Sequence, residues 1–372
     1  MADYTIYDVT VSTLTPLHIG SGVDLLHQYD YAIYNGRTWR IDEYALLDAQ
    51  NVDDPALAEQ LARTPPAQLL RPGDYRDGSP FFRYVITGTP RSGAEGAQVR
   101  EQIKDSFDRP YLPGSSLKGA LRTALGWHIW GERRLRPEAG RLQRRRQWAA
   151  SSYEKALFGR DPNHDLLRAL QVSDSEPLAA DRLMIANVRV QDRGGNLKAP
   201  IEAEAVRPDV AFRLTLKVDR ALFSGWAGRA ELPAEGADWL GSLPRVMQAH
   251  AAARVRSDLA WFRSLANDAK IVQFYQQLSR ARLGPNRFLV QLGWGAGWES
   301  KTFGVRLQSD RDFMERIVRD YRLARGRRRE GDPFPKTRRV AVSFQRSPDG
   351  RIREQPAPPL GWCLVEMKER KE

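Results

Sequence analysis

The chain contains 372 residues, of which 41% are hydrophobic and 28% are charged. This composition is enough for a substantial core and argues against global disorder, and the length favours two domains over one. A formal net charge of +12 favours an anionic partner. The candidates are nucleic acid, an anionic membrane and an acidic protein. Cys363 is the only cysteine, so an intrachain disulfide and a cysteine-rich zinc site are excluded.

Positive charge is concentrated beyond residue 60. Residues 1–60 contain ten Asp and Glu residues but only two arginines, a net charge of −8, so residues 61–372 carry +20. We therefore expect a polyanion site mostly beyond residue 60. No segment approaches ~18 uninterrupted apolar residues and the N-terminal sequence lacks a basic and apolar signal region, so we expect no membrane span and a cytoplasmic location.

In the first part of the chain, patterning predicts strands that alternate with loops. TIYDVTVSTLT alternates apolar and polar residues and predicts a strand, which TPLHIGSGVD then interrupts. YAIYNGRTWRID predicts a hairpin around Asn35 and Gly36, and EYALLDAQ predicts a short helix. Residues 51–80 are rich in Pro, Asp and Gly and are expected to be irregular, and FFRYVITG predicts a further strand.

Beyond residue 130, an arginine-rich stretch precedes more strands and helices. Two basic stretches, 133–146 and 325–329, favour contact with a polyanion. The other predicted elements are a short helix in SYEKALFGRD, strands in DRLMIANVRVQDR and AFRLTLKVDRALFSG, a helical segment at 239–282, a strand entering a glycine-rich loop in RFLVQLGWGAGWESKTFG, a basic helix in DRDFMERIVRDYRLARGRRR, and late strands in RRVAVSFQR and GWCLVEMKE.

Strand, helix and glycine-rich loop recur in both halves, which favours an α+β fold of two units. We predict a first unit at residues 1–235 with insertions around 51–80 and 131–150. The second unit is predicted at 236–372, with the helical segment 239–282 and a glycine-rich loop at 293–302.

The segment YLPGSSLKGALRTAL, residues 111–125, has two interpretations. Leu117, Leu121 and Leu125 recur every four residues and predict one apolar helix face, with Ser115 or Ser116 as its N-cap. Lys118 and Arg122 share a second face near the helix start, where hydroxyls, free N–H groups and cations suit a phosphate. A capped surface helix with two solvated cations explains the same spacing equally well. This is not a Walker loop, because no Gly-Lys-Ser/Thr order occurs.

Two further motifs contain closely spaced glycines. HIGSG, residues 18–22, allows close backbone approach to a ligand, and His18 is a candidate base or stacking partner, although a lone histidine is more often structural. GWGAGWESKT, residues 293–302, interleaves glycines with Trp294 and Trp298. Such a loop can admit a sugar-phosphate backbone, stack bases and hold phosphates, whereas the alternative is a tight turn with core tryptophans.

Known catalytic patterns are absent from the sequence. Its five histidines show no metal-binding pair, and no GxSxG motif occurs. The acidic run Ser173–Glu176 is expected to be a solvated turn rather than a metal site. We therefore predict no catalytic site, no metal and no cofactor.

Landmarks along most of the chain resemble the RAMP superfamily of CRISPR-associated proteins. Their order, and the late GWGAGW loop, are most similar to the fifth Csm subunit of type III-A effector complexes. The landmarks are LTPLHIGSG, YLPGSSLKGALRTAL, LFGRD, LQVSDSEP, PIEAEAV, LGWGAGWESKT, FPKTRRV and PLGWCLVEM. The resemblance implies ferredoxin-like (RRM-like) modules of the α+β class, with glycine-rich loops that bind RNA and irregular insertions.

The resemblance also implies a function and binding residues. A subunit of this kind would cap the backbone RAMP subunits at the 3′ end of the guide RNA and assist guide maturation, without catalysis. Its partners would be the 3′ part of the guide RNA, a backbone RAMP subunit and other Csm subunits, with target RNA contacted indirectly. The residues implied for RNA binding are His18, Gly20, Ser21, Gly22, Ser115, Ser116, Lys118, Arg122, Gly293, Gly295, Gly297, Trp298, Lys301 and Thr302.

Two alternative functions remain open from the sequence alone. The first is a metal-independent RAMP endoribonuclease that processes guide precursors, with His18 as base and Lys118 or Lys301 stabilising the transition state. The second is another RAMP subunit of the same complex, either the 5′-end cap or a backbone subunit.

Overall fold

A computed structural model describes residues 4–50, 59, 61, 63–224, 232–265, 268–324, 328–329, 331–346 and 351–371. Its strands are β1 (Tyr4–Thr13), β2 (Gly20–Leu26), β3 (Tyr31–Tyr34), β4 (Arg37–Ile41), β5 (Phe82–Thr87), β6 (Gln98–Gln102), β7 (Leu170–Val172), β8 (Leu183–Asp192), β9 (Leu197–Val206), β10 (Ala211–Asp219), β11 (Arg287–Gln291), β12 (Thr337–Arg346), β13 (Ile352–Ala357) and β14 (Trp362–Glu369). Its helices are α1 (Glu43–Asp48), α2 (Gly114–Glu132), α3 (Ser151–Phe158), α4 (Gly236–Gly241), α5 (Leu243–Arg263), α6 (Ala269–Arg280), α7 (Gly304–Leu307) and α8 (Arg311–Asp320).

One antiparallel sheet has the strand order β11-β14-β1-β10-β7. Strand β10 shows the alternation that its sequence predicts, and its buried side chains are Phe212, Leu214, Leu216 and Val218. These side chains belong to the main core together with the apolar face of α2. Helix α2 also contacts β7 and α5, and α5 contacts β11, so both long helices lie against this sheet.

The second sheet has the order β2-β6-β9-β8-β5-β4-β3, and β12 pairs with β8 and carries β13 at its other side. Its β3–β4 hairpin turns at Asn35 and Gly36, which both have positive φ, as the Asn-Gly pair predicts. An isolated bridge between Leu17 and Val206 connects the residue just before HIGSG to β9. Helices combined with two curled half-barrel sheets confirm the α+β class expected of two ferredoxin-like modules.

Several predicted segments differ in detail from the structure. The helical segment 239–282 consists of α4, α5 and α6, and α5 begins anew because Pro244 occupies its first turn. Strands β11 and β14 share a sheet with β1 and β10, and the proposed boundary at residue 235 stays a prediction.

Parts of two predictions lie outside the described residues. In the irregular insertion 51–80, residues 64–80 form short 3₁₀ turns and connecting segments and residues 59, 61 and 63 are helical, whereas 51–58, 60 and 62 are outside. Residues 325–327 of the second basic stretch are also outside. Among the described helices, none has the length and apolar character needed to cross a membrane.

Candidate nucleic-acid interface

Two glycine-bearing loops meet through their backbones. They are HIGSG, residues 18–22, which we call the first loop, and GWGAGWESKT, residues 293–302, which we call the last loop. The Trp294 N–H donates a 2.8 Å hydrogen bond to the His18 carbonyl oxygen. Gly293 has a φ of +72°, and a Cβ at this position would overlap the same carbonyl oxygen. Gly295 and Gly297 also have positive φ, +96° and +81°. The alternating glycines of the sequence motif therefore provide a left-handed backbone and, at Gly293, a close approach between the loops.

His18 is buried beneath this junction, with only 2% of its surface exposed. Its Nδ1 lies 2.7 Å from the Glu204 carbonyl oxygen, and because a carbonyl only accepts, we assign the proton to Nδ1. Burial is the main reason that the pKa of His18 is lowered to about 4, and the charges of Arg100 and Lys104 add to this effect. His18 is therefore a neutral imidazole near pH 7 and cannot attract a phosphate by charge.

The Glu204 side chain supports this buried region and was not identified from the sequence. Its carboxylate accepts hydrogen bonds from the Tyr84 hydroxyl at 2.8 Å and from the Lys104 ammonium at 2.6 Å. The Gln102 N–H donates to the same carboxylate at 3.0 Å. One sequence signal could have identified Glu204, namely a glutamate within the otherwise apolar end of PIEAEAV. A carboxylate buried there needs hydrogen-bond or ionic partners, which marks it as part of a polar cluster.

Trp294 is surrounded by cationic side chains from two strands. The guanidinium carbons of Arg100 on β6 and Arg339 on β12 each lie 4.8 Å from its ring centroid. The His18 ring meets the same indole edge-on, at 5.8 Å between centroids. Sequence reasoning missed both arginines, because the strand pairing that brings them to Trp294 is not a local pattern.

The exposed part of the first loop lies on β2, at the edge of the second sheet. Gly20, Ser21 and Gly22 are exposed, and Gly22 has a φ of +98°. The Ser21 hydroxyl donates to the Glu101 carboxylate at 2.7 Å. RNA contact by these three residues stays a prediction.

The start of α2 is capped by a residue other than those expected. Leu117, Leu121 and Leu125 are buried, which confirms the predicted apolar face. Neither Ser115 nor Ser116 caps the helix, so that prediction was wrong. Helix α2 begins at Gly114, where a Cβ would overlap the carbonyl oxygens of the strand end beside it.

Asp174 provides the missing cap from a distant segment. Its carboxylate accepts the Gly114 N–H at 2.7 Å, and the Ser175 hydroxyl accepts the Leu112 N–H at 2.9 Å. The acidic side chains of the run Ser173–Glu176 are exposed, as expected of a solvated segment, and the run also caps α2. The carboxylate occupies the helix N-terminus at which the sequence alone allowed a phosphate.

Lys118 and Arg122 lie one turn apart on the face of α2 that points towards α3. The Arg122 guanidinium binds the Asp165 carboxylate at 2.8 Å and lies 3.9 Å from the Phe158 ring centroid. Lys118 has no carboxylate within 4.0 Å among the described residues. Loss of hydration lowers the pKa of Lys118, with the Arg122 charge adding to the effect and the Asp165 charge opposing it.

A cavity of about 950 Å³ brings the helix-start motif and the last loop together. We call it the basic cleft, and its walls are α2, residues 142–168, residues 298–307 and α8. Five of the predicted RNA-binding residues line it, namely Lys118, Arg122, Trp298, Lys301 and Thr302. Residues of the first loop and the two serines of α2 do not.

The residues after the glycines divide between the interior and the basic cleft. Glu299 and Ser300 point inwards, and Thr302 stabilises the local turn by donating to the Trp298 carbonyl at 2.8 Å. Lys301 is exposed, has no carboxylate within 4.0 Å among the described residues, and has its pKa lowered by loss of hydration and by the Arg339 charge. Lys301 therefore contributes a positive charge from the last motif to the basic cleft.

Below the loop, Glu299 belongs to a buried ionic network. Arg254 binds both Glu299 and Asp258, the latter at 2.8 Å, and all three are at most 3% exposed. Arg338 bridges the same carboxylates, at 2.9 Å from Glu299 and 3.1 Å from Asp258. The network holds the segment that carries Lys301 against α5.

Trp298 is packed from two sides and is only half-buried. Its ring meets Phe334 edge-on at 5.1 Å, and Gly304 lies so close that a Cβ there would overlap the indole. This tryptophan is mainly a packing residue whose remaining surface faces the basic cleft.

Residues 10–300 match the model of the RAMP superfamily. The chain belongs to the RAMP superfamily. Among curated relatives, this RAMP protein is 28% identical to the CRISPR system Cms protein Csm5 of Mycobacterium tuberculosis (strain H37Rv) over 350 residues, which cover 84% of the chain and 86% of that protein. It is 27% identical to the Streptococcus thermophilus Csm5 protein over 247 residues, covering 59% of the chain and 66% of that relative.

Solved structures show the same relationship. The RAMP protein matches a chain of a Csm–crRNA–target RNA ternary complex from a type III-A CRISPR-Cas system with a TM-score of 0.73 and 25% identity, covering 97% of the chain and 100% of the match. T. onnurineus Csm5 shares the fold, with a TM-score of 0.64, 23% identity and coverage of 96% and 99%. These similarities confirm the resemblance to the fifth Csm subunit that the motifs indicated.

Proposed function

We propose that this RAMP protein is a Csm5-type subunit of a type III-A effector complex and binds the 3′ part of the guide RNA, capping the backbone subunits and assisting guide maturation. The observation that carries the RNA-binding proposal is that the last glycine-rich motif meets the first loop on one side and shares the basic cleft with α2 on the other. The two glycine-bearing loops meet at His18 and Trp294, and Lys118 and Lys301 face the same basic cleft. We expect the cytoplasm as its location.

The electrostatics of this surface support binding to phosphates. Lys118 and Lys301 have no carboxylate within ion-pairing distance in the described part of the chain, and both have lowered pKa values. Phosphate groups would supply the missing negative charge. Contacts of this kind do not depend on base identity, as a subunit that holds guides of varied sequence requires.

The state of His18 favours binding over cleavage. A general base must reach the proton that it removes, whereas His18 is 2% exposed and engages Glu204 through Nδ1. The endoribonuclease alternative would need another base or a rearranged loop. We therefore propose a non-catalytic subunit, whose neighbours are a backbone RAMP subunit and other Csm subunits.

Crosslinking in the assembled complex tests the position on the guide. The tagged protein would be purified from cells that express a complete type III-A system, irradiated, and its crosslinked nucleotides mapped. Crosslinks in the 3′ part of the guide support the proposal, and crosslinks at the 5′ end or along the whole guide assign another position. Absence of guide RNA refutes it, and cleavage by the purified protein that His18→Ala abolishes establishes the nuclease alternative.

Lysine variants test the binding surface. Lys118→Ala and Lys301→Ala should each weaken RNA association and reduce the slope of log affinity against log salt by about 0.7, the value for one phosphate contact on a single strand. Lys270→Ala is the matched control, since Lys270 is an exposed lysine on α6, away from the basic cleft. Unchanged binding in both cleft variants would contradict the assignment.

A further inference from the structure

The basic cleft combines an apolar floor with a cationic rim. Its floor consists of aromatic and aliphatic side chains, which are Trp130, Phe158, Phe303, Leu307, Phe313 and Ile317. The described lining also includes seven Lys and Arg residues but only three Asp and Glu residues, an excess of four positive charges. A volume of about 950 Å³ lies within the ~300–1,000 Å³ typical of ligand pockets, so a nucleotide has ample room.

Several of the rim cations have no acidic partner in the part of the chain that the structure describes. Arg122 is bound to Asp165, whereas Lys118, Arg146, Lys155 and Lys301 have no carboxylate within 4.0 Å among the described residues. Lys155 lies on α3 and lines the same cavity as Lys118 and Lys301. The unpaired cations therefore come from three different walls of the cleft, as expected for a site that surrounds an anion-bearing ligand.

Trp148 gives the rim an unusual aromatic side chain. It is 58% exposed, and it lies in a 3₁₀ turn that begins at Arg146 and is closed by a 2.9 Å hydrogen bond from its own N–H to the Arg145 carbonyl. Leaving an indole this exposed is unfavourable unless a partner covers it. A nucleobase is such a partner, because every base has a flat face that can stack on indole.

We propose that the basic cleft accepts at least one nucleobase of the bound RNA strand, stacked on Trp148, with Lys118, Lys155 and Lys301 contacting its flanking phosphates. This inference rests on the proposed function and adds a base-binding pocket to a surface otherwise argued from phosphate contacts. An apolar segment of a neighbouring subunit would fill the floor equally well. However, it would leave the excess positive charge of the rim uncompensated, whereas a nucleotide provides both an apolar face and a phosphate.

The test separates the contribution of the bases from that of the phosphates. Binding of the full-length chain would be measured by fluorescence anisotropy with an octameric oligouridylate and with an octamer that has the same sugar-phosphate backbone but no bases. Removing the bases should weaken binding by roughly 5- to 150-fold for each base that is stacked on an aromatic side chain. Trp148→Ala should remove much of this difference and leave the affinity for the abasic octamer unchanged.

Two controls keep the test specific. Tyr44→Ala removes a more exposed aromatic side chain, 88% exposed on α1, and should leave the base contribution unchanged. Lys155→Ala should weaken binding of both octamers equally, because it contacts phosphate.

Three other outcomes would contradict the proposed base-binding pocket. Strong binding of both octamers with equal affinity refutes base insertion but leaves the proposed function intact. Absence of binding to either octamer, and of guide RNA in the purified complex, refutes both. Loss of a neighbouring Csm subunit from the complex on Trp148→Ala, with no change in the base contribution, assigns the cleft to that protein instead.

Discussion

The Trp294 N–H and the His18 carbonyl oxygen form a 2.8 Å hydrogen bond that joins the two glycine-bearing loops of this RAMP protein. Next to this bond, Gly293 leaves no space for a side chain. This backbone contact between segments that are distant in sequence therefore helps to fix the geometry of the proposed RNA-binding surface.

Gly293→Ala should disrupt this contact. The added methyl group would overlap the His18 carbonyl oxygen, and the φ of +72° is unfavourable for alanine. The left-handed conformation alone costs about 1–2 kcal/mol. We expect a larger decrease in the free energy of unfolding, measured by urea denaturation, together with weaker RNA binding.

Gly297→Ala is the matched control. Its φ is +81°, but a Cβ there meets open space, so only the conformational cost applies. Equal destabilisation by the two substitutions would show that the close approach at Gly293 is unimportant.

Asp174→Ala should destabilise α2 even though residue 174 lies outside that helix. It removes the acceptor of the Gly114 N–H, and loss of an N-cap costs about 0.5–2 kcal/mol. Ser115→Ala removes one of the two residues that the sequence offered as a cap and should be nearly neutral, since that hydroxyl does not cap the helix. Thermal unfolding of both variants distinguishes them, and the reverse order would contradict the capping assignment.

The His18 ring should remain neutral across the physiological range. Burial lowers its pKa to about 4, from an ordinary value of 6.5. Since the unfolded chain takes up the proton more readily, His18 contributes stability above pH 6.5 that is lost as the pH falls towards 4. Titration of the His18 Cε1 proton resonance by NMR should give a midpoint near pH 4. A midpoint near 6.5 would show that the ring is accessible to solvent. His18 would then again be a candidate base for the endoribonuclease alternative.

Glu299→Gln should weaken the buried ionic network. Burial by itself would raise the pKa of Glu299, but the charges of Arg338 and Arg254 outweigh it and hold the pKa below the ordinary 4.5. The substitution leaves the buried Arg254 and the partly buried Arg338 with Asp258 as their remaining carboxylate, and breaking a buried pair costs about 3–5 kcal/mol. Urea denaturation near pH 7 should show this loss.

Glu299→Gln should also change how the free energy of unfolding depends on pH. The stabilisation by Glu299 is present above pH 4.5 and is lost as the pH falls through its folded-state pKa. The difference in stability between the parent and Glu299→Gln should therefore shrink on acidification. Glu138→Gln, which alters an exposed carboxylate that is not ion-paired in the described structure, should show neither effect. A pH-independent difference would mean that Glu299 acts through shape instead of charge.

Local patterns predicted much of the fold. The four-residue spacing of Leu117, Leu121 and Leu125 gave the buried face of α2, and the Asn35-Gly36 pair gave the hairpin. Both signals act over a few residues, where backbone geometry alone relates the side chains.

The site was less predictable because its contacts are distant in sequence. The motifs marked the segments that converge, but they did not tell which side chains face outwards. Glu299 and Lys301 are two residues apart in one motif, yet the first is buried and the second exposed. Asp174, Glu204 and Arg100 acquire their roles only when strand pairing brings them to the two loops and to α2. No spacing rule within the sequence encodes those pairings.

The position of β14 has a consequence for protein synthesis. This strand lies between β1 and β11, so β1 presents an unpaired edge until residues 362–369 have left the ribosome. At typical translation rates this interval lasts roughly 20–70 s. During that time the open edge of β1 is a template for wrong strand pairing, so a nascent chain that lacks β14 is more prone to misfold than the complete sheet.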